Sequence, residues 1–567
     1  MRFFKRIFFP VMGVIIVALT GCNKDEVLLA GGKPVIEFDH EDGIYEVTVD
    51  EELTLAPDVE NGENASYEWT LEDGTVVSRQ PVWTSRWGKT GQYYVLLTVS
   101  NKAGTDWEEV RIDVVEPKAP VISLALPSEG LTILTGSDYE LAPVFAGVDS
   151  GSVEWFVDGV KTADGLSFVF RADKAGVYHI MIRATNNIGA TEKEFDITVA
   201  DELPARMRFV PLSYYSNANV RYTVAGRPVA LVVASENIPT DAFRWKVNGD
   251  EVKGDGSMYV FSSSEPGVYN VDVEAAGEAM RMEIHVEKNA GIRAGSGDGV
   301  SVLEYCPAPG QFIGETGSVG GMSADITTHE AAIGWAESRF AARKFVSLGA
   351  WGGYIIARFD RSVARGASGY DFAVMGNAIA TSNEPGIVYV MQDVNGNGLP
   401  DDEWYELKGS DFSGAGVSHD YMVTYYRPGG EAMAVQWIDG FGERGTVDYI
   451  PSHTQPTYFP VWIQPDELTL YGSRLPQRNV MDPVTGMWDN PPFQWGYADN
   501  IGSDLIDGDT YGGGGQWTGF RISNAVLPDG TPVELDHIDF VKIQTGIMSK
   551  SGLLGELSTD ICGIRSL

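Results

Sequence analysis

One pattern, recurring three times within residues 35–288, constrains the fold more than any other feature of this 567-residue chain. Trp69, Trp155 and Trp245 each sit in an alternating segment: Tyr67-Glu-Trp-Thr-Leu71, Val153-Glu-Trp-Phe-Val157 and Phe243-Arg-Trp-Lys-Val247. A turn dipeptide follows each, at Asp73-Gly74, Asp158-Gly159 and Asn248-Gly249. Gly-x-Tyr then opens another alternating strand 21 or 22 residues after the tryptophan, at Gly91/Tyr93, Gly176/Tyr178 and Gly267/Tyr269. Alternation with period two, broken by such dipeptides, predicts antiparallel hairpins with one buried face. Self-similarity at 80 to 90 residues makes each unit a separate domain. A buried Trp on one strand and a Tyr at the start of another describe an immunoglobulin-like sandwich. Trp83, Trp87 and Trp107 fall outside the repeat, and both exposure and edge-strand packing suit them.

These units resemble PKD-like modules. They depart from the usual Trp-x-Phe-Gly-Asp-Gly core, the first having Trp69-Thr-Leu-Glu-Asp-Gly74 and the third lacking the Asn-x-x-Gly turn that closes the first two. Expected boundaries are 35–117, 118–202 and 203–288. Stacked end to end at roughly 40 Å each, the modules predict a stalk of ~100 Å.

The glycine-rich linker 289–300 marks the next boundary, and the remaining 301–567 carry no repeat but eight of the 14 Trp. Short strands recur there, including Tyr354-Ile-Ile-Ala-Arg-Phe359, Tyr370-Asp-Phe-Ala-Val374 and Ile538-Asp-Phe-Val-Lys-Ile543; only Glu330 to Arg343 reads as helical. The expected fold is therefore all-β: three tandem immunoglobulin-like sandwiches followed by a larger, jelly-roll-like β-sandwich. The order of segments from Gly349 to Met391, with Leu554-Gly-Glu-Leu-Ser-Thr-Asp560 closing the chain, resembles a jelly-roll family of bacterial surface proteins.

The chain begins with Arg2, Lys5 and Arg6 before an apolar run from Phe8 to Leu19. That run is shorter than the ~20 residues of a membrane-spanning helix, so residues 1–21 read as a signal peptide. Leu19-Thr-Gly-Cys22 resembles the bacterial lipobox, which implies cleavage before Cys22 and lipidation of its thiol, with 22–34 as anchor and linker. Several acyl chains at ~0.8 kcal/mol per buried methylene make release from a bilayer slow. Asn23-Lys-Asp-Glu26 resembles a surface-export signal, so the expected place is the outer face of the outer membrane. A formal charge of −38 repels phosphate backbones and argues against nucleic acid as a partner.

Two lone cysteines, Cys306 and Cys562, lie near the first and last strands of the C-terminal region. A disulfide between them suits an exported protein, and two buried free thiols suit it equally.

Asp393-Val-Asn-Gly-Asn-Gly-Leu-Pro-Asp401 places oxygen ligands at positions 1, 3, 5 and 9 of a calcium loop, with the Leu399 carbonyl at 7 and Gly398 at the turn. The expected ligands are Asp393, Asn395, Asn397, Leu399 and Asp401, and the expected role is structural. Position 12 is Trp404 instead of the usual Glu, and a hairpin turn requires the same Asn and Gly residues. A second acidic run, Asp499 to Asp509, reads as a solvated series of turns.

Proline-punctuated loops carry His453, Tyr458, Phe459, Trp488, Phe493, Trp495 and Tyr497, while Tyr511 and Trp517 flank four glycines. Loops on a rigid scaffold are where binding concentrates, and clustered rings offer stiff surfaces with polar tips. These nine are the candidate ligand contacts, the competing reading being that they pack the loops onto the sandwich. Catalytic signatures such as Gly-x-Ser-x-Gly, His-Glu-x-x-His or a phosphate-binding loop do not occur.

Lipobox, PKD-like units and jelly-roll-like domain together resemble the surface lipoproteins of gut anaerobes that capture cobalamin beside TonB-dependent transporters. That resemblance implies a corrinoid as ligand and such a transporter as partner. Two alternatives stand beside it: a glycan-binding surface lipoprotein, and a carboxylate-dependent glycan-degrading enzyme.

Overall fold

A computed structural model describes residues 32–40, 42–148, 151–216, 219–315, 322, 326–453, 455–483, 485–506 and 516–567. The signal segment, Cys22 and Tyr511 with its four glycines lie outside these residues.

The three repeats fold alike. In the first, a five-stranded sheet has the order Ile44–Thr48, Gly104–Val115, Gly91–Asn101, Ser66–Leu71, Val76–Ser78. Its first pair is parallel and the rest antiparallel. The second repeats this order from Leu131–Leu134 and the third from Val220–Val224, each again with a parallel first pair. Trp69, Trp155 and Trp245 are 0%, 0% and 2% exposed, at the centres of three separate cores. Each buried indole N–H needs an acceptor. Gln80, Gly165 and Gly256 supply carbonyls at 2.9, 2.8 and 3.0 Å. The repeat tyrosines donate in turn to the carbonyl four residues upstream, Lys89, Lys174 and Glu265, each at 3.0 Å. Trp83 and Trp87 join the first core, with Trp83 5.7 Å from Trp69, while Trp107 is exposed.

In the C-terminal domain the longer strands outside the inserted sheet pass back and forth between two sheets. Tyr354–Ala364, Gly386–Met391 and His537–Thr545 lie in a six-stranded sheet that Val300–Cys306 edges. Phe372–Gly376, Trp517–Phe520 and Asp560–Ser566 lie in a five-stranded one. This alternation is jelly-roll-like, and all its ladders are antiparallel. Every residue of His537–Thr545 is buried, as a central strand covered on both faces requires. One helix, His329–Ala341, packs on this domain, with the Thr328 hydroxyl accepting Ala331 N–H at 3.2 Å as its cap. An inserted four-stranded sheet has the order Arg444–Val447, Val435–Asp439, Ser418–Tyr426, Glu467–Arg474.

The chain divides into two compact units, the first module in one and modules two and three with the C-terminal domain in the other. Within the second unit, module two seats on the inserted sheet. Gln436 accepts Ala125 N–H at 2.8 Å and donates to the Ala142 carbonyl at 2.9 Å, and Arg444 lies 4.1 Å above the Tyr139 ring. Module three seats on the six-stranded sheet. Ser213 donates to Glu304 at 3.0 Å, Tyr214 N–H to the Tyr354 hydroxyl at 2.8 Å, and Tyr405 to the Pro228 carbonyl at 3.0 Å. The expectation of three modules that only provide reach is thus corrected for the second and third. Their contacts come from residues that differ between repeats, which a search for shared residues passes over.

Candidate functional site

Most of the aromatic candidates face inward. Tyr458, Phe459, Phe493, Tyr497 and Trp517 are 0%, 1%, 1%, 2% and 0% exposed, which closes their faces to a ligand in this conformation. The cause lies in the polar residues beside them. The Asn500 side chain accepts Phe493 N–H at 2.8 Å and donates to the Phe493 carbonyl at 2.9 Å, while Asp504 accepts Gly496 N–H at 2.6 Å. These contacts fold the 493–504 loop onto itself and press Phe493 and Tyr497 against Ile387 and Leu475. Asp499, Asn500 and Asp504 are 1%, 2% and 4% exposed, so this part of the run is corrected from a solvated turn series to a buried brace; Asp507 and Asp509 lie outside the described residues. Phe459 lies under the Arg427 guanidinium at 4.4 Å, and Trp517 beside Arg343 and Arg565 at 4.9 and 4.3 Å. His453 pairs with Glu315 at 2.9 Å, and the Tyr458 hydroxyl bonds both backbone groups of Ile450. Of the eight candidates within the described residues, only His453, Trp488 and Trp495 are half-buried.

Trp488 belongs to an apolar lip that sequence reasoning missed. Val480–Met481 pairs with Trp488–Asp489 in a short hairpin. Asn479 ties it to the 549–551 segment, donating to the Lys550 carbonyl at 2.8 Å and accepting from Ser549 at 2.7 Å. On the other side Asn490 N–H donates to the Thr381 carbonyl at 2.9 Å. Gly552 lies against Trp488, since a Cβ built there would come within 2.9 Å of the indole nitrogen. Around these contacts Ile379, Val480, Met481, Met487 and Leu554 are between 42% and 62% exposed. The Lys550–Asp448 ion pair at 2.6 Å belongs to the polar rim. Clustered exposed apolar residues with a polar surround mark binding surfaces.

The acidic loop forms a tight turn. Asn395 and Asn397 side-chain oxygens accept N–H groups two residues on, at 2.9 and 2.7 Å, and both amides donate to Asp401. Asp393 accepts Gly398 N–H at 3.0 Å through one oxygen, while its Oδ1 is buried without a hydrogen-bond partner. The residue that counting positions overlooked is Asp402. It is 0% exposed, and both its oxygens lack hydrogen bonds of good geometry, although the N–H groups of Val394 and Asn395 lie close. Burial, reinforced by Asp401 and Asp393, pushes its carboxyl up to about 9. Among the described residues no three His, Cys, Asp or Glu side chains converge on a common point, so an oxygen shell here would also draw on amides and carbonyls.

A third polar cluster lies inside the jelly roll. Asp499 accepts the N–H groups of Asn377 and Ala378 at 2.8 Å each and that of Asp560 at 2.9 Å; Glu556 accepts Gln311 N–H at 2.7 Å. Burial pushes all four carboxyls upward, Glu556 to about 8 and Asp560 to about 7, and neighbouring carboxylates add to the shift at Glu384, Asp499 and Glu556. Cys306 and Cys562 are free buried thiols in different core clusters, which is the second of the two alternatives open from the sequence.

Residues 33–101 and 119–186 match the model of the PKD-like domain. A 156-residue stretch is 23% identical to polycystin-1 of Homo sapiens, covering 27% of this chain and 4% of that protein's length. Among solved structures, the fibronectin(III)-like modules of Clostridium thermocellum CbhA are similar at 14% identity, over 29% of this chain and 94% of theirs, with a TM-score of 0.20. Extracellular domains 3–5 of Drosophila OTK are similar at 11% identity, over 45% and 95%, with a TM-score of 0.19. The chain is an all-β protein of tandem PKD-like, immunoglobulin-like sandwiches with a larger β-sandwich at its C-terminal end.

Proposed function

We propose that this chain is a lipid-anchored protein of the outer cell surface that captures cobalamin or a related corrinoid for a TonB-dependent outer-membrane transporter. The observation that carries the reading is the apolar lip formed by Ile379, Val480, Met481, Met487 and Leu554 beside Trp488. A corrin is a broad macrocycle with methyl groups on its edge and amide arms around it. Aliphatic and thioether side chains within a polar surround complement both parts. A sugar ring is better served by flat, open aromatic faces, and the lip's most exposed members are Val480, Leu554, Met481 and Met487. That composition favours the corrinoid over the glycan reading. Lipobox and export signal supply the anchor and the side of the membrane.

The test is retention of cyanocobalamin by the purified full chain, read by co-migration in size exclusion and by the shift of its visible bands. Retention that substitutions in the lip abolish supports the reading. Absence of retention, together with binding on a saccharide array, would transfer the chain to the glycan class.

A further inference from the structure

The two ends of the acidic loop both grip the third module. Gln392, just before Asp393, accepts from Arg227 at 2.5 Å, and Glu403, just after Asp402, meets Arg221 at 3.3 Å. Tyr405 adds its bond to the Pro228 carbonyl. Between these holds lie three carboxylates, Asp393, Asp401 and Asp402, within ten residues. The Asx turns at Asn395 and Asn397 need no ion to explain them. The buried oxygens are the stronger sign. Asp402 is fully enclosed and neither oxygen has a hydrogen bond of good geometry, the Val394 and Asn395 N–H groups being only close by, and Asp393 Oδ1 nearby is buried without a partner. Buried carboxylate oxygens without donors are costly unless a cation or proton completes them.

We propose that a calcium-sized hard divalent cation binds the 393–402 loop through Asp393 and Asp402, with oxygens of Asn395, Asn397 and Leu399, and latches the third module onto the C-terminal domain. Such ions take six to eight oxygens from carboxylates, amides and carbonyls, which is the donor set present. Asp402 replaces the bidentate Glu that position 12 lacks. The coupling is geometric, because the ion fixes the separation of Gln392 and Glu403 and therefore the register of Arg227 and Arg221 upon them. Magnesium, which holds its water more firmly and requires a stricter octahedron, is the weaker occupant.

The test uses the full chain, stripped with chelator and titrated with calcium chloride and, separately, magnesium chloride by calorimetry. Hydrogen exchange is followed at 220–230 and 403–407. Calcium is expected to bind, to raise the melting temperature and to slow exchange in both segments by at least about tenfold, leaving 44–115 unchanged. Asp402→Asn should melt as high as the wild type or higher in chelator, since it removes an enclosed charge, yet gain nothing from calcium. Asn397→Ala, at an exposed position, should fold normally and bind calcium about tenfold more weakly. No calcium heat, equal melting with and without the ion, or binding that leaves exchange at 220–230 unaltered would each overturn the latch.

Discussion

Arg221 of the third module and Glu403 of the C-terminal domain meet at 3.3 Å with side chains only 5% and 11% exposed. A guanidinium this enclosed is an interface residue, and it makes module three part of the C-terminal body. Removing one member of a buried pair strands the other, at a cost of about 3–5 kcal/mol, whereas replacing both by apolar groups costs much less. Arg221→Met alone should therefore lower the melting temperature and raise hydrogen exchange at 403–407. Arg221→Met with Glu403→Leu should recover most of the loss. Equal melting of both variants would contradict a buried interface.

Trp155 carries the second module. Trp155→Ala deletes a fully buried indole and its bond to Gly165, and should cost about 3–5 kcal/mol in denaturant unfolding of that module. Trp155→Phe retains most of the buried area and loses the N–H, so it should fall between. A loss under about 1 kcal/mol for the alanine variant would mean that the core collapses around the gap.

Glu556 binds a proton more tightly in the folded chain than in the unfolded one, about 8 against 4.5. Its stabilising share is therefore complete below pH 4.5 and lost as pH rises through about 8, where a buried carboxyl must ionise. Glu384, Asp499 and Asp560 are displaced the same way. The melting temperature of Glu556→Gln minus that of the wild type should rise between about pH 5 and about pH 8 and level off above that. A flat difference would show that this carboxyl titrates normally.

The lip makes a prediction separate from stability. Met487→Asp and Leu554→Asp change exposed side chains, so melting should stay within about 1 °C while cyanocobalamin affinity falls about tenfold for each. Unchanged affinity in both would remove the lip from the binding surface.

The two thiols offer a direct check on the cores. Burial raises both above the ordinary thiol range and hides them from reagents. Alkylation should be slow in the native chain, with Cys306 and Cys562 both modified on denaturation without added reductant. A pair that reacts only after reduction would be a disulfide.

The repeat was legible because a buried Trp and a Gly-x-Tyr corner are demands of packing that each module meets with the same residue. The strands of the C-terminal domain were legible as short apolar runs, while its jelly-roll-like order came from a resemblance. Ring direction was not. Proline and aromatic residues at 451–497 announce loops, but Asn500 and Asp504 decide whether Phe493 and Tyr497 turn inward, and nothing in residue type alone declares that role. Asp402 escaped because register within a loop follows from its path and not from counting. Docking escaped because Arg221 and Arg227 have no counterpart in the other repeats, and Gln436 and Arg444 lie outside the repeats altogether.

In the first module Ile44–Thr48 runs alongside the final half of Gly104–Val115 in the same direction, with Ile44 opposite Arg111 and Thr48 opposite Val115. Tension applied at the two chain ends would therefore drag these strands past one another, loading their hydrogen bonds together instead of opening them one by one. A module tethered at one end and tugged at the other is built to resist in that geometry, as a lap joint resists where a peeled seam gives way.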